Sequence, residues 1–149
     1  TSNINNPNFQ SSLLKSGYNL FSKPTTYMNN SGLAVHAIKE YYKIDLENII
    51  VIHDDLDLPF GTVKFKIGGG HGGHNGLRSL DAHITKEYIR VRIGIGKPQD
   101  KSDVANYVLS NFSKEEINRL QDIITHTIKA IEALKTEDID QVKSKFTLK

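Results

Sequence analysis

Apolar residues recur along this chain with two different periods. Two short segments, Phe9 to Lys15 and Tyr18 to Lys23, flank Ser16-Gly17 and predict a hairpin with a tight, glycine-containing turn. From Ser31 the spacing lengthens, with Ala34, Ile38 and Tyr41 marking one side of a helix that runs to about Tyr42. Ile49, Ile50, Val51 and Ile52 are then apolar without interruption, as in a strand buried on both faces of a parallel or mixed sheet, and this strand is expected to end at His53-Asp54-Asp55. Thr62 to Ile67 alternates, with Val63, Phe65 and Ile67 on one face and Lys64 and Lys66 on the other. Ile89 to Ile95 repeats the pattern, setting Arg90 and Arg92 opposite Ile89, Val91, Ile93 and Ile95. Each of these two strands therefore has one oily and one cationic face.

Between them lies Gly68-Gly69-Gly70-His71-Gly72-Gly73-His74-Asn75-Gly76, followed by a helical pattern from Leu77 to about His83. A short helix is expected over Asp103 to Leu109, and Ser113 with Glu116 reads as a capping box opening a long amphipathic helix. Its predicted apolar stripe is Ile117, Leu120, Ile124, Ile128, Ile131 and Leu134, and a last helix covers roughly Glu137 to Phe146. Strands interleaved with helices over 149 residues predict one α/β domain, a three-layer sandwich whose mixed, twisted sheet is flanked by helices.

Composition narrows the chemistry. With no Cys, thiol catalysis, disulfides and zinc–thiolate sites are excluded. No apolar run approaches the roughly 20 residues of a membrane span, so a cytoplasmic protein without a membrane partner is expected. The net charge of +2 is unevenly spread: Gly61 to Lys101 carries 8 Lys and Arg against 3 Asp and Glu, whereas the flanks together are net acidic. That excess suggests a polyanionic partner for the central segment; a solvated lysine-rich surface is the alternative.

The glycine loop is the strongest local signal, because so many glycines suit a backbone that approaches something closely or takes positive φ. Its amides, leading into a helix, could bind an anion or a reacting carbonyl oxygen. No Gly-Lys-Ser/Thr follows, which disfavours nucleotide hydrolysis. His71 and His74, with His53, Asp54, Asp55 or Asp57, could be arranged as metal ligands, although a glycine loop gives the two rings no fixed orientation. The acidic cluster Asp54-Asp55-Leu56-Asp57 follows a buried strand, where α/β sheets gather their ligand sites. Asn30 or Ser31 is expected to cap its helix, leaving Asn29 able to hold a water and a carbonyl.

Four stretches in order, Lys23-Pro-Thr-Thr-Tyr-Met-Asn29, His53-Asp-Asp-Leu-Asp-Leu-Pro59, Lys64-Phe-Lys-Ile-Gly-Gly-Gly-His-Gly-Gly-His-Asn-Gly-Leu77 and Arg90-Val-Arg-Ile-Gly-Ile-Gly96, together resemble the bacterial-type peptidyl-tRNA hydrolase family. The resemblance runs from about Phe9 to the C-terminus and implies an esterase that frees peptides from the 3′-terminal ribose of tRNA, with no cofactor and no metal. It implies that Asn29, beside Met28, holds the attacking water, and that Asp54 polarises a catalytic histidine. It implies further that His74 and Asn75 line the channel for the 3′ end, with Gly72 and Gly73 near the ester. Lys66, Arg92 and Lys101 resemble the cations that grip the 5′-phosphate at the acceptor stem, which agrees with the cationic strand faces.

The family's opening motifs, Gly-Leu-Gly-Asn-Pro-Gly and a Thr-Arg-His-Asn that carries the general base, do not occur in this sequence, and position 1 is Thr. The expectation is that an N-terminal strand and the catalytic histidine segment are missing from residues 1–149, which would then hydrolyse esters poorly alone. His53 is a poor substitute, since neighbours on a strand point to opposite faces. The resemblance implies a monomer for the intact enzyme, and unpaired backbone where a central strand is lost. A tRNA-binding module without catalysis and a metallohydrolase are the competing readings.

Overall fold

The computed structural model describes residues 2–4, 9–16, 19–25, 30–72, 74–96 and 113–148. The elements are β1 (Ser2–Asn3), β2 (Ser11–Ser16), β3 (Asn19–Pro24), α1 (Ser31–Tyr42), β4 (Ile50–Asp55), β5 (Val63–Ile67), α2 (Asn75–Ile84), β6 (Ile89–Gly94), α3 (Lys114–Leu134) and α4 (Ile139–Phe146). Strands are interleaved with helices as the periodicity predicts, and the fold is α/β with a mixed sheet and a long C-terminal helix. The helix expected over residues 103–109 and the hairpin turn at Gly17 lie outside the described residues. The chain divides into two compact units, Thr1–Ile49 with Ile67–Tyr88, and Ile50–Lys66 with Ile89–Lys149.

In the first unit, β1, β2 and β3 form an antiparallel sheet in that order, and Leu13 points inward to pack with Phe9 and Ile38 of α1. Of the two predicted caps, Asn30 holds the N-cap position, but its side chain bonds no helix amide. One orphan donor of the first turn, the Gly32 N–H, is instead satisfied by Ser79 Oγ of α2 at 2.8 Å. A Cβ on Gly32 would lie 2.1 Å from the Ser79 carbonyl oxygen, so glycine is what lets the two helices come this close.

The second unit holds a three-stranded sheet in the order β4-β6-β5. β4 and β6 are parallel, whereas bonds from Gly94 N–H to Thr62 and from Gly68 N–H to Tyr88 run β5 antiparallel to β6. One face carries Val63, Phe65 and Val91, on which α3 and α4 lay Ile123, Ala130 and Val142. The strand ends at Asp55, within the expected His53-Asp54-Asp55, so His53 and both acids belong to β4 itself. Ile52 is 51% exposed rather than buried on both faces, because β4 is the last strand of its sheet among the described residues. Ile67, expected on the oily face, is exposed at the end of β5.

α3 starts where predicted: Ser113 Oγ accepts from the Glu116 N–H at 3.2 Å, and Glu116 Oε1 accepts from the Ser113 N–H at 2.9 Å. Its buried face, however, is Ile123, Thr127 and Ala130, while Ile117, Ile124 and Ile128 of the predicted stripe are exposed. The small Ala130 lets the helix approach the sheet, and Thr127 is buried without penalty because its Oγ1 donates to the Ile123 carbonyl at 2.8 Å. Ser113→Ala removes the cap and is expected to lower stability by about 1 kcal/mol, read as a fall in Tm of roughly 2–4 °C; an unchanged melting curve would mean that the first turn of α3 frays in the native state.

Candidate active site and its two groups of residues

In the second unit, the carboxyl end of β4 brings together an acidic group and an arginine. The parallel register pairs His53 with Arg92, Asp54 with Ile93 and Asp55 with Gly94. His53 and Asp55 thus share the face of Arg92, and Asp54 projects to the other. The His53 Nδ1–H donates to the Asp54 backbone carbonyl at 2.8 Å, which ties the ring to its own strand. Arg92 Nε donates to Asp55 Oδ2 at 2.8 Å, while Asp55 Oδ1 accepts from the Asp57 N–H at 2.8 Å. Arg90, predicted on a solvated cationic face, is only 2% exposed, because β6 is the middle strand and is covered on both sides. Lys66 does reach solvent.

The loop after β4 is laced to the end of β6. Ile95 N–H donates to Asp55 C=O at 3.1 Å, Gly96 N–H to Leu58 C=O at 2.9 Å, Gly94 N–H to Thr62 C=O at 2.9 Å and Thr62 N–H to Pro59 C=O at 3.1 Å. Asp54 therefore stands, half-buried, on a backbone held from both sides. A carboxylate so placed can orient a neighbouring imidazole or accept a hydrogen bond from water.

In the first unit, the glycine loop uses its freedom as expected: Gly68, Gly69 and Gly72 take φ of 69°, 97° and 58°. The His74 N–H closes a turn onto the His71 carbonyl at 2.9 Å, and α2 begins two residues before the predicted Leu77. His74 is its N-cap. Since the Leu77 backbone N–H must donate, His74 Nδ1 accepts at 3.2 Å, which places the proton of this tautomer on Nε2. Asn75 opens the helix with its side chain exposed, beside amides that favour a negative or carbonyl oxygen. Gly72 is exposed in the turn. Met28, Asn29, Gly73 and Lys101 lie outside the described residues.

Two other histidines also have their protons committed, His83 Nδ1 to the Ser79 carbonyl at 2.7 Å and His126 Nε2 to the Phe146 carbonyl at 2.6 Å. Among the described residues no three His, Asp or Glu gather as a metal site. Sequence reasoning missed Asp55 as the partner of Arg92, because their shared face follows from the register of β4 on β6. It also missed Ser79, for which no local pattern exists.

A sequence model of the peptidyl-tRNA hydrolases matches residues 3–149, nearly the whole chain. The chain belongs to this family. A peptidyl-tRNA hydrolase of Aliarcobacter butzleri is 86% identical over 149 residues, which cover all of this chain and 81% of that one. Another from Sulfurovum is 58% identical over 147 residues, 99% of this chain and 78% of that one. Among solved structures, peptidyl-tRNA hydrolase from Acinetobacter baumannii superposes with a TM-score of 0.85 at 34% identity, over 96% of this chain and 75% of that one. The motifs that carry the family resemblance thus sit in a fold shared with a solved family member. Among the described residues, no helix of this hydrolase is long and apolar enough to cross a membrane.

Proposed function

We propose that residues 1–149 act as one peptidyl-tRNA hydrolase domain, breaking the ester between a peptide and the 3′-terminal ribose of tRNA. The observation that carries this is the family match over residues 3–149 with its four motifs in order. In this reading water attacks the ester carbonyl with the help of a histidine base, which the family resemblance places in a Thr-Arg-His-Asn motif that does not occur in residues 1–149. Asn29, beside Met28, places the water; Asp54 orients and polarises the base. Asn75 or the amides at Gly72 and Gly73 stabilise the oxyanion, and His74 lines the channel for the 3′ end and the peptide. The use of His74 Nδ1 to cap α2 supports a binding role over that of a second base.

Lys66, Arg92 and Lys101 hold the 5′-phosphate and acceptor stem. With about three phosphate contacts, log affinity for tRNA should fall with log salt at a slope of about −2, and Lys66→Ala should reduce that slope by about 0.7. A slope near zero, measured by filter binding across a salt series, would remove the phosphate clamp.

The deciding experiment is release of an N-acetylated amino acid from its tRNA by this polypeptide, beside a version extended at its amino terminus by a segment bearing the Gly-Leu-Gly-Asn-Pro-Gly and Thr-Arg-His-Asn motifs. Turnover by the extended protein is expected. Salt-dependent tRNA binding with no turnover by either protein would leave a binding module instead.

A further inference from the structure

Arg92 is held in a way that bears on how it would meet a phosphate. Its contact with Asp55 is made by Nε alone, from the side, at 2.8 Å. That bond fixes the plane of the guanidinium and leaves the four Nη hydrogens, which have no acceptor among the described residues, pointing past the carboxylate. Asp55 is itself fixed, because its second oxygen accepts from the Asp57 N–H. The two side chains are 13% and 25% exposed for Asp55 and Arg92, so the pair is shielded yet open at one end. The antiparallel register of β5 on β6 sets Lys64 opposite Arg92, and Lys66 lies on that same face. A terminal phosphate monoester, carrying close to two charges at neutral pH, is the ligand that a guanidinium fork flanked by ammonium groups suits.

We propose that Asp55 is a positioning residue that aims the Nη edge of Arg92 at the 5′-terminal phosphate of the RNA, giving the protein its preference for a phosphorylated 5′ end. The proposal rests on the phosphate-clamp reading of Arg92 given above. Without Asp55 the guanidinium regains rotamer freedom, and its flat fork no longer meets the phosphate oxygens two at a time. A carboxylate beside a phosphate site repels the ligand somewhat. That cost is tolerable here because Asp55 is neutralised by Arg92 and its other oxygen is turned to a backbone amide.

The test compares one N-acetylaminoacyl-tRNA bearing a 5′-phosphate with the same molecule after phosphatase treatment, in both kcat/KM and binding affinity, using the amino-terminally extended protein. The unaltered protein should prefer the phosphorylated form by roughly tenfold, as one charge-assisted fork allows. Asp55→Ala should bring that ratio to within about twofold of one, through KM rather than kcat, and Asp55→Glu should restore most of it. A purely structural role for the ion pair would lower turnover on both substrates alike and leave the ratio intact, which would overturn the proposal. So would an unaltered protein that hydrolyses both forms equally well, a result that leaves the hydrolase reading standing. If neither form is hydrolysed, the hydrolase reading fails, and the ratio of the two binding affinities decides the role of Asp55 by the same criterion.

Discussion

Asp54→Asn is expected to lower kcat/KM for N-acetylaminoacyl-tRNA by roughly 100- to 10,000-fold, the range for losing one partner in general base catalysis. That corresponds to about 3–5 kcal/mol of transition-state stabilisation. The substitution is close to isosteric, and the strand end around it is held by backbone bonds that do not involve its side chain. Folding and tRNA affinity should therefore survive, which separates this loss from a structural one. An amide in place of the carboxylate can still accept a hydrogen bond from an imidazole, but it cannot stabilise the cation that forms as the ring takes a proton from water. Single-turnover release of the labelled amino acid measures the effect. Retention of more than a third of the original rate would show that Asp54 has no part in activating the base.

Gly94→Ala is expected to have the largest effect on stability. A Cβ at this position would lie 2.1 Å from the Pro59 carbonyl oxygen, 2.8 Å from that of Leu58 and 2.9 Å from the Leu58 Cβ. Two of these neighbours are backbone atoms, so no side-chain rotation relieves the clash. Either β6 or the Leu56–Thr62 loop must move, breaking some of the bonds that join Gly94, Ile95 and Gly96 to Thr62, Asp55 and Leu58. Overpacking of this kind costs about 3 kcal/mol or more, equivalent to roughly 6–12 °C in Tm. The displaced loop also carries the end of β4, so Asp54 should lose its placement and kcat should fall even below the melting range. Calorimetry paired with the hydrolysis assay tests both halves; a variant that melts with the parent would show that the loop shifts freely.

The elements that could be read from the sequence are those with local causes. The capping box of α3, the span of α1 and the alternation of β5 from Val63 to Phe65 all depend on residues within a few positions of one another, and all three stand in the structure. What sequence could not place depends on who lies alongside. Arg90 and Arg92 look equivalent by alternation, yet one is covered by its neighbours and the other is held by Asp55, a residue 37 positions away. α3 offers two apolar rows, and the one chosen is that in which Ala130 allows the closest approach to Val63, Phe65 and Val91. The cap of α1 was sought in Asn30 or Ser31, whereas the Gly32 N–H of the first turn is served by a hydroxyl 47 residues further on. The site motifs were legible as a resemblance, but the tautomer of His74 could only come from seeing its ring under the Leu77 amide.

The outer edge of β5 has a bearing on how this protein is made. Val63 and Leu148 exchange both backbone hydrogen bonds at 2.9 Å, joining the sheet to a residue that is synthesised 85 positions later. On a translating ribosome at about 5–20 residues per second, that edge stays open for roughly 4–17 s after Val63 is made. During that interval α3 and α4, which cover the oily face of β5, are also incomplete. The nascent hydrolase therefore passes through a stage in which a strand edge and an apolar sheet face are exposed together, so ribosome-bound chaperones should engage it after β5 is made and before Leu148 is.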